Sequence, residues 1–163
     1  MAGDTAYTEV FGVPIKSDPL TIEGKPEMVK NFQDAFAVID AAGLCVFLSV
    51  RYLFEPHLAL FPNPLTQIMN HATGADYTEQ SLMEAGERVF NLERLFLINA
   101  GFSREDDTLP KRMLEEPLPE GPGKGHIVEL EQMLTKFYTL RGWDEGGIPT
   151  KEKLEALGLT NHV

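Results

Sequence analysis

Four glycines, Gly43, Gly101, Gly142 and Gly158, each close a stretch in which apolar residues return at three- and four-residue steps. That step matches the roughly 3.6-residue turn of an α-helix, and glycine best suits the left-handed position that ends one. A chain punctuated in this way is constrained to fold as helices joined at tight corners. The first run opens at Pro26, a favoured first helical residue, and sets Met28, Val29, Phe32, Ala35, Phe36 and Ile39 on one face. A long run from Thr78 to Asn99, which Thr78 or Ser81 can cap, traces a face through Leu82, Ala85, Val89, Leu92, Leu95, Phe96 and Asn99. A third turns Val128, Leu130, Leu134, Phe137 and Tyr138 inward, and a short one covers Thr150 to Leu157. Leu65, Ile68 and Met69 predict a further helix ending near Gly74, and a single turn is predicted over Lys111 to Leu114. Cys45 to Phe61 fits either a buried helix or a strand. Helices outnumber any plausible strand, so the expected fold is all-α.

At 163 residues the chain suffices for one domain with a real core, and residues 1–25, rich in Pro, Gly, Asp and Thr and without a period, read as an extended lead-in. A formal net charge of −11 disfavours nucleic acid and anionic membranes, which select for clustered Lys and Arg. The longest apolar stretch, Cys45 to Phe54, is about half the ~20 residues a membrane span needs. A single cysteine cannot form an intrachain disulfide, and no secretory leader is visible, so a reducing, cytoplasmic setting is expected. The apolar density from Asp40 to Phe54 is expected to cause self-association of the chain or partial disorder after Cys45.

Chemistry-bearing residues are sparse. His57, His71, His126 and His162 form no metal-binding pair at short spacing. Gly121-Pro122-Gly123-Lys124-Gly125 is not a phosphate loop, because Gly125 stands where Ser or Thr is needed and Leu118 where the first glycine is needed. Glu87, Arg88, Asn91, Glu93 and Arg94 interrupt the apolar face of the long helix; they read as a surface or interhelical salt-bridge network, or as a polar edge toward a cofactor or domain seam. What remains is Asp40-Ala41-Ala42-Gly43-Leu44-Cys45. A lone cysteine among Leu44, Val46 and Phe47 is by itself a small buried hydrophobe. Asp40 lies against the helix dipole, a placement easier to understand if its carboxylate accepts hydrogen bonds from a partner.

This hexapeptide resembles the second pterin-binding motif, D-x-x-G-L-C, of the tungsten-containing aldehyde ferredoxin oxidoreductases. The similarity extends in order through Asp18–Lys25, Phe32–Asp40, Arg88–Arg94, Gly101–Pro110 and Leu140–Thr150, nearly the whole chain. The resemblance implies the family's last helical domain, within an enzyme that oxidises aldehydes to carboxylic acids and passes electrons to ferredoxin. It implies a tungsten held by two pterins (tungstopterin) and a [4Fe-4S] cluster. Asp40 would bond a pterin, Gly43 and Leu44 would bring backbone close to it, and Cys45 would be the cluster's ligand from this chain. The family's three-cysteine motif and first pterin motif are not in this sequence. The implied partners are therefore the remaining domains or subunits, with ferredoxin and aldehyde serving the complete enzyme. The chain alone is expected to hold no cofactor and to be inactive, since a cluster needs further thiolates. The alternative is a stand-alone helical interaction module without chemistry.

Overall fold

The computed structural model describes residues 18–45, 47 and 63–160. Six α-helices lie among them: α1 (Lys25–Ala41), α2 (Asn63–Thr73), α3 (Glu79–Asn99), α4 (Lys111–Glu115), α5 (Leu130–Arg141) and α6 (Lys151–Ala156). A 3-10 turn covers Arg104–Asp106. No strand occurs among the described residues; one isolated bridge joins Trp143 to Pro149. The all-α expectation holds. Most of the lead-in and of the ambiguous run after Cys45 lies outside the described residues, as do His57 and His162.

The four helix-ending glycines all adopt positive φ, between 68° and 96°. Each builds the same corner. Gly43 N–H donates to Asp40 O and Leu44 N–H to Ile39 O, and the pattern repeats at Gly101, Gly142 and Gly158. These paired bonds satisfy carbonyls left over at a helix end, and an apolar residue just past the glycine normally folds back onto the helix. That residue is Leu44, Phe102, Trp143 or Leu159. At the other end of α3, Thr78 Oγ1 accepts from Ser81 N–H while Ser81 Oγ accepts from Thr78 N–H, so both candidate caps are used reciprocally.

Two compact units divide the chain, with the boundaries inside α1 and α3. Of the described residues, 31–45, 47 and 63–92 form the first. Its core joins Ala35, Val38 and Ile39 of α1 to Leu65 of α2 and Leu82 of α3, with Phe32, Phe36, Leu44, Met69 and Met83 packed against them. The α1–α3 crossing is close at Gly86, where an added Cβ would collide with the Asp34 carbonyl.

Residues 18–30 and 93–160 form the second unit. Its buried apolar residues are Leu95, Tyr138, Trp143, Leu154, Leu157 and Leu159. Thr150 caps α6 by accepting from Lys153 N–H. Arg141, fully buried at the end of α5, donates to Lys30 O (3.2 Å) and lies over the Phe137 ring. Phe96, expected on the buried face of α3, is instead exposed, because Arg94 and Leu95 take the inward positions one step earlier. Val128 precedes α5 rather than lying in it, and its N–H donates to Met113 O (3.0 Å).

Candidate cofactor-binding site

The motif occupies the C-terminal corner of α1. Residues 31–41 of that helix are held by the first unit's core, so the corner is carried on a packed element rather than a long loop. Asp40, in the last turn, is exposed, and that turn contains no basic side chain to offset its charge. Gly43, at φ 71°, reverses the chain; beyond its Cα there is open space, with nothing within 4 Å of where a Cβ would stand. Leu44 turns back toward the core, whereas Cys45 is exposed. The fold thus brings Asp40, Gly43, Leu44 and Cys45 to one helix end. Exposure of Cys45 removes the reading of it as a small buried hydrophobe.

These residues fit the implied group in kind. A thiolate is the soft donor that iron–sulfur clusters require. A carboxylate can accept a planar pair of N–H donors, and a glycine backbone open to solvent allows a flat ring to approach. In number the sequence offers a single thiol, and no group of three or more His, Cys, Asp or Glu able to hold a metal occurs among the described residues.

A second polar constellation lies in the second unit. Arg94 of α3, 6% exposed, grips Asp107 with both guanidinium nitrogens (3.0 and 2.6 Å) and donates through Nε to Gly147 O at 2.8 Å. Its guanidinium lies 4.9 Å from the Trp143 ring centre. Tyr138 of α5 donates its hydroxyl to the same Asp107. Ser103 caps the turn before Asp107, with Asp106 returning to the Ser103 N–H (2.8 Å), so the carboxylate is presented by a fixed corner. Gly147, at φ 73°, passes so close that a Cβ would strike Arg94 and Tyr138. Arg94 does form a salt bridge, but to a residue just past the 3-10 turn rather than to another helix, and its partners, 13 and 53 residues away, had no sequence signal. Three of the segments that resemble the family, around Arg94, Asp107 and Gly147, converge here. The network's bonds run between separate parts of the chain, so it ties those segments together.

Burial, and then the hydrogen bond to Asp107, push the Tyr138 hydroxyl up to about 12. Folding thus favours neutral Tyr138, and its contribution to stability is complete below pH 10 and is lost as pH rises toward 12. Tyr138→Phe is expected to remove that part of the alkaline sensitivity. Urea midpoints between pH 9 and 12 measure it; parallel pH profiles for the two proteins would refute the assignment.

The second unit also bears a groove of about 650 Å³ lined by Leu20, Ile22, Met113, Leu118, Ile127 and Met133 among others, none of them from the motif. No helix among the described residues is long and apolar enough to cross a membrane.

Comparison with known proteins agrees with the family resemblance. A family profile described as "Aldehyde ferredoxin oxidoreductase, domains 2 & 3" matches residues 1–159. The tungsten-containing aldehyde ferredoxin oxidoreductase of Pyrococcus horikoshii is 48% identical over 153 residues, 93% of this chain and 24% of that protein. The enzyme of the same name from Pyrococcus furiosus is 46% identical over 153 residues, with the same coverage. The chain thus spans about a quarter of the length of the curated relatives it matches. Among solved structures, the active site complex BamBC of benzoyl coenzyme A reductase superposes with a TM-score of 0.68 at 24% identity, covering 90% of this chain and 21% of that one. At that identity the likeness establishes the fold.

Proposed function

We propose, from the premise that this chain belongs to the aldehyde ferredoxin oxidoreductase family, that it supplies one pterin-binding motif and one [4Fe-4S] ligand to an aldehyde-oxidising enzyme. In that reaction an aldehyde and water give a carboxylic acid, two protons and two electrons, the electrons leaving to ferredoxin. The observation that carries the reading is the corner at Gly43, where an exposed carboxylate and an exposed thiol flank a glycine open to solvent. The tungsten–pterin group, when bound, supplies the two-electron chemistry. Within this chain, Asp40 binds and orients the pterin through its carboxylate, Gly43 and Leu44 bring backbone against it, and Cys45 holds one iron of the cluster. The other thiolates and the second pterin motif come from the rest of the enzyme. The protein alone is expected to show no aldehyde-dependent reduction of a viologen dye.

The test is iron and tungsten per protein in the complete enzyme carrying Cys45→Ser or Asp40→Asn. Serine is nearly isosteric but a poorer iron ligand, so Cys45→Ser should lose most of its iron. Asparagine turns one acceptor oxygen into a donor facing a donor, so Asp40→Asn should lose tungsten. Stability should not fall in step with the metal. Cys45 is exposed, so its replacement should cost less than about 0.5 kcal/mol. Asp40→Asn relieves a charge at the wrong end of the dipole and should add roughly 0.3–1 kcal/mol. Unchanged metal content in both variants removes the assignment.

A further inference from the structure

The motif's leucine has a side chain that the reading above leaves without a role. We infer that Leu44 is a positioning residue whose packing against the first unit's core sets where the Asp40 carboxylate and the Cys45 thiol lie; the inference rests on the cofactor-binding reading of that motif. Two backbone bonds close the corner, Gly43 N–H to Asp40 O (3.0 Å) and Leu44 N–H to Ile39 O (3.1 Å). They fix the path of the chain as far as Leu44. From there the half-buried side chain packs against the cluster of Ala35, Val38, Ile39, Leu65 and Leu82. Its neighbours go the other way: Asp40 and Cys45 are exposed, and Phe47 is 83% exposed. Leu44 thus packs the corner onto the first unit's core, between two exposed residues.

The other corners of this kind support the mechanism. Trp143 and Leu159, which hold the same place after Gly142 and Gly158, are 7% and 2% exposed, whereas Phe102 after Gly101 is 48% exposed. The backbone bonds form in all of them, so they do not require the plug. What the plug adds is a fixed attachment of the corner to the core. A ligand orientation left to a free helix end drifts, and metal sites lose about 10–100-fold in affinity when the residues that orient a ligand are removed.

The experiment uses the complete enzyme with Leu44→Ala, Leu44→Val and Leu44→Met. The comparators are Leu82→Ala and Leu82→Val, which cut the same core away from the motif, and Cys45→Ser. Two quantities are measured: iron per protein, and the rate at which a chelator strips that iron. Leu44→Ala should be stripped about tenfold faster than wild type, Leu44→Val less so, and Leu44→Met, which keeps the volume, should restore slow loss. The Leu82 variants should stay within about twofold of wild type, because they weaken the core without releasing the corner. Equal stripping in the Leu44 and Leu82 variants would overturn the inference and leave Leu44 an ordinary core residue. If the alanine variants do not accumulate, the valine pair gives the same comparison. Failure of the underlying reading is separate: Cys45→Ser retaining full iron refutes the ligand assignment, whereas iron lost in Cys45→Ser but held in every Leu44 variant refutes the positioning role alone.

Discussion

Arg94→Ala is expected to destabilise the chain by about 3–5 kcal/mol, the range for removing one partner of a buried ion pair. The side chain is 6% exposed and makes two bonds to Asp107, one to Gly147 O, and a stack on Trp143. Its loss leaves Asp107 with Tyr138 as its remaining described side-chain donor, strands a carbonyl, and opens a void beside Trp143. Asp107 is 25% exposed and can recover some water, which favours the lower end of the range. Lysine is not a rescue, since one ammonium cannot reproduce a fork that meets a carboxylate and a third acceptor at once. Arg104 is the internal control. Its contact with Glu131 is equally short at 2.6 Å, but Glu131 is 80% exposed, so Arg104→Ala should cost far less than Arg94→Ala. Equilibrium urea unfolding measures both. Similar losses for the two arginines would show that burial does not set the scale here.

Gly86→Ala should destabilise by about 2 kcal/mol net, although glycine lies in mid-helix. Alanine improves helix propensity by about 1 kcal/mol. Against that stands the collision of its Cβ with the Asp34 carbonyl oxygen, with the Asp34 carbonyl carbon at 2.8 Å and Val38 Cγ2 at 2.9 Å. Backbone cannot rotate away as a side chain can, so α1 and α3 must separate, and overpacking of this kind costs about 3 kcal/mol. The melting temperature should fall by about 4–8 °C for a chain of this size. A rise in melting temperature would mean that propensity outweighs the crossing and that the helices have room to give.

The proposed cofactor motif stood out in the sequence because it is contiguous. Asp40, Gly43, Leu44 and Cys45 fall within six residues, and resemblance to a known motif needs no tertiary information. The polar network was only half legible. Arg94 stood out as a charge amid apolar residues, but its acceptors come from a turn at Asp107 and a glycine pair at Gly146-Gly147, where loop chemistry gives no hint of a guanidinium. Arg141 gave no warning at all, since arginine in a last helical turn is ordinarily solvated beside the negative end of the dipole.

Local chemistry determined the helices and their ends. Periodicity places α1, α2, α3, α5 and α6 within a few residues, and a glycine followed by an apolar residue makes the same corner at Gly43, Gly101, Gly142 and Gly158, because positive φ and the paired end-bonds are properties of a few adjacent residues. Tertiary structure alone decided which of those corners is anchored and which side chains change their expected side. Leu159 is buried and Phe102 is not, Phe96 faces out while Arg94 faces in, and Gly86 is needed for its lack of a side chain rather than for its dihedral angles. Those outcomes depend on what another segment, tens of residues away, brings to the same place, and a hydrophobic period records only that some face is covered.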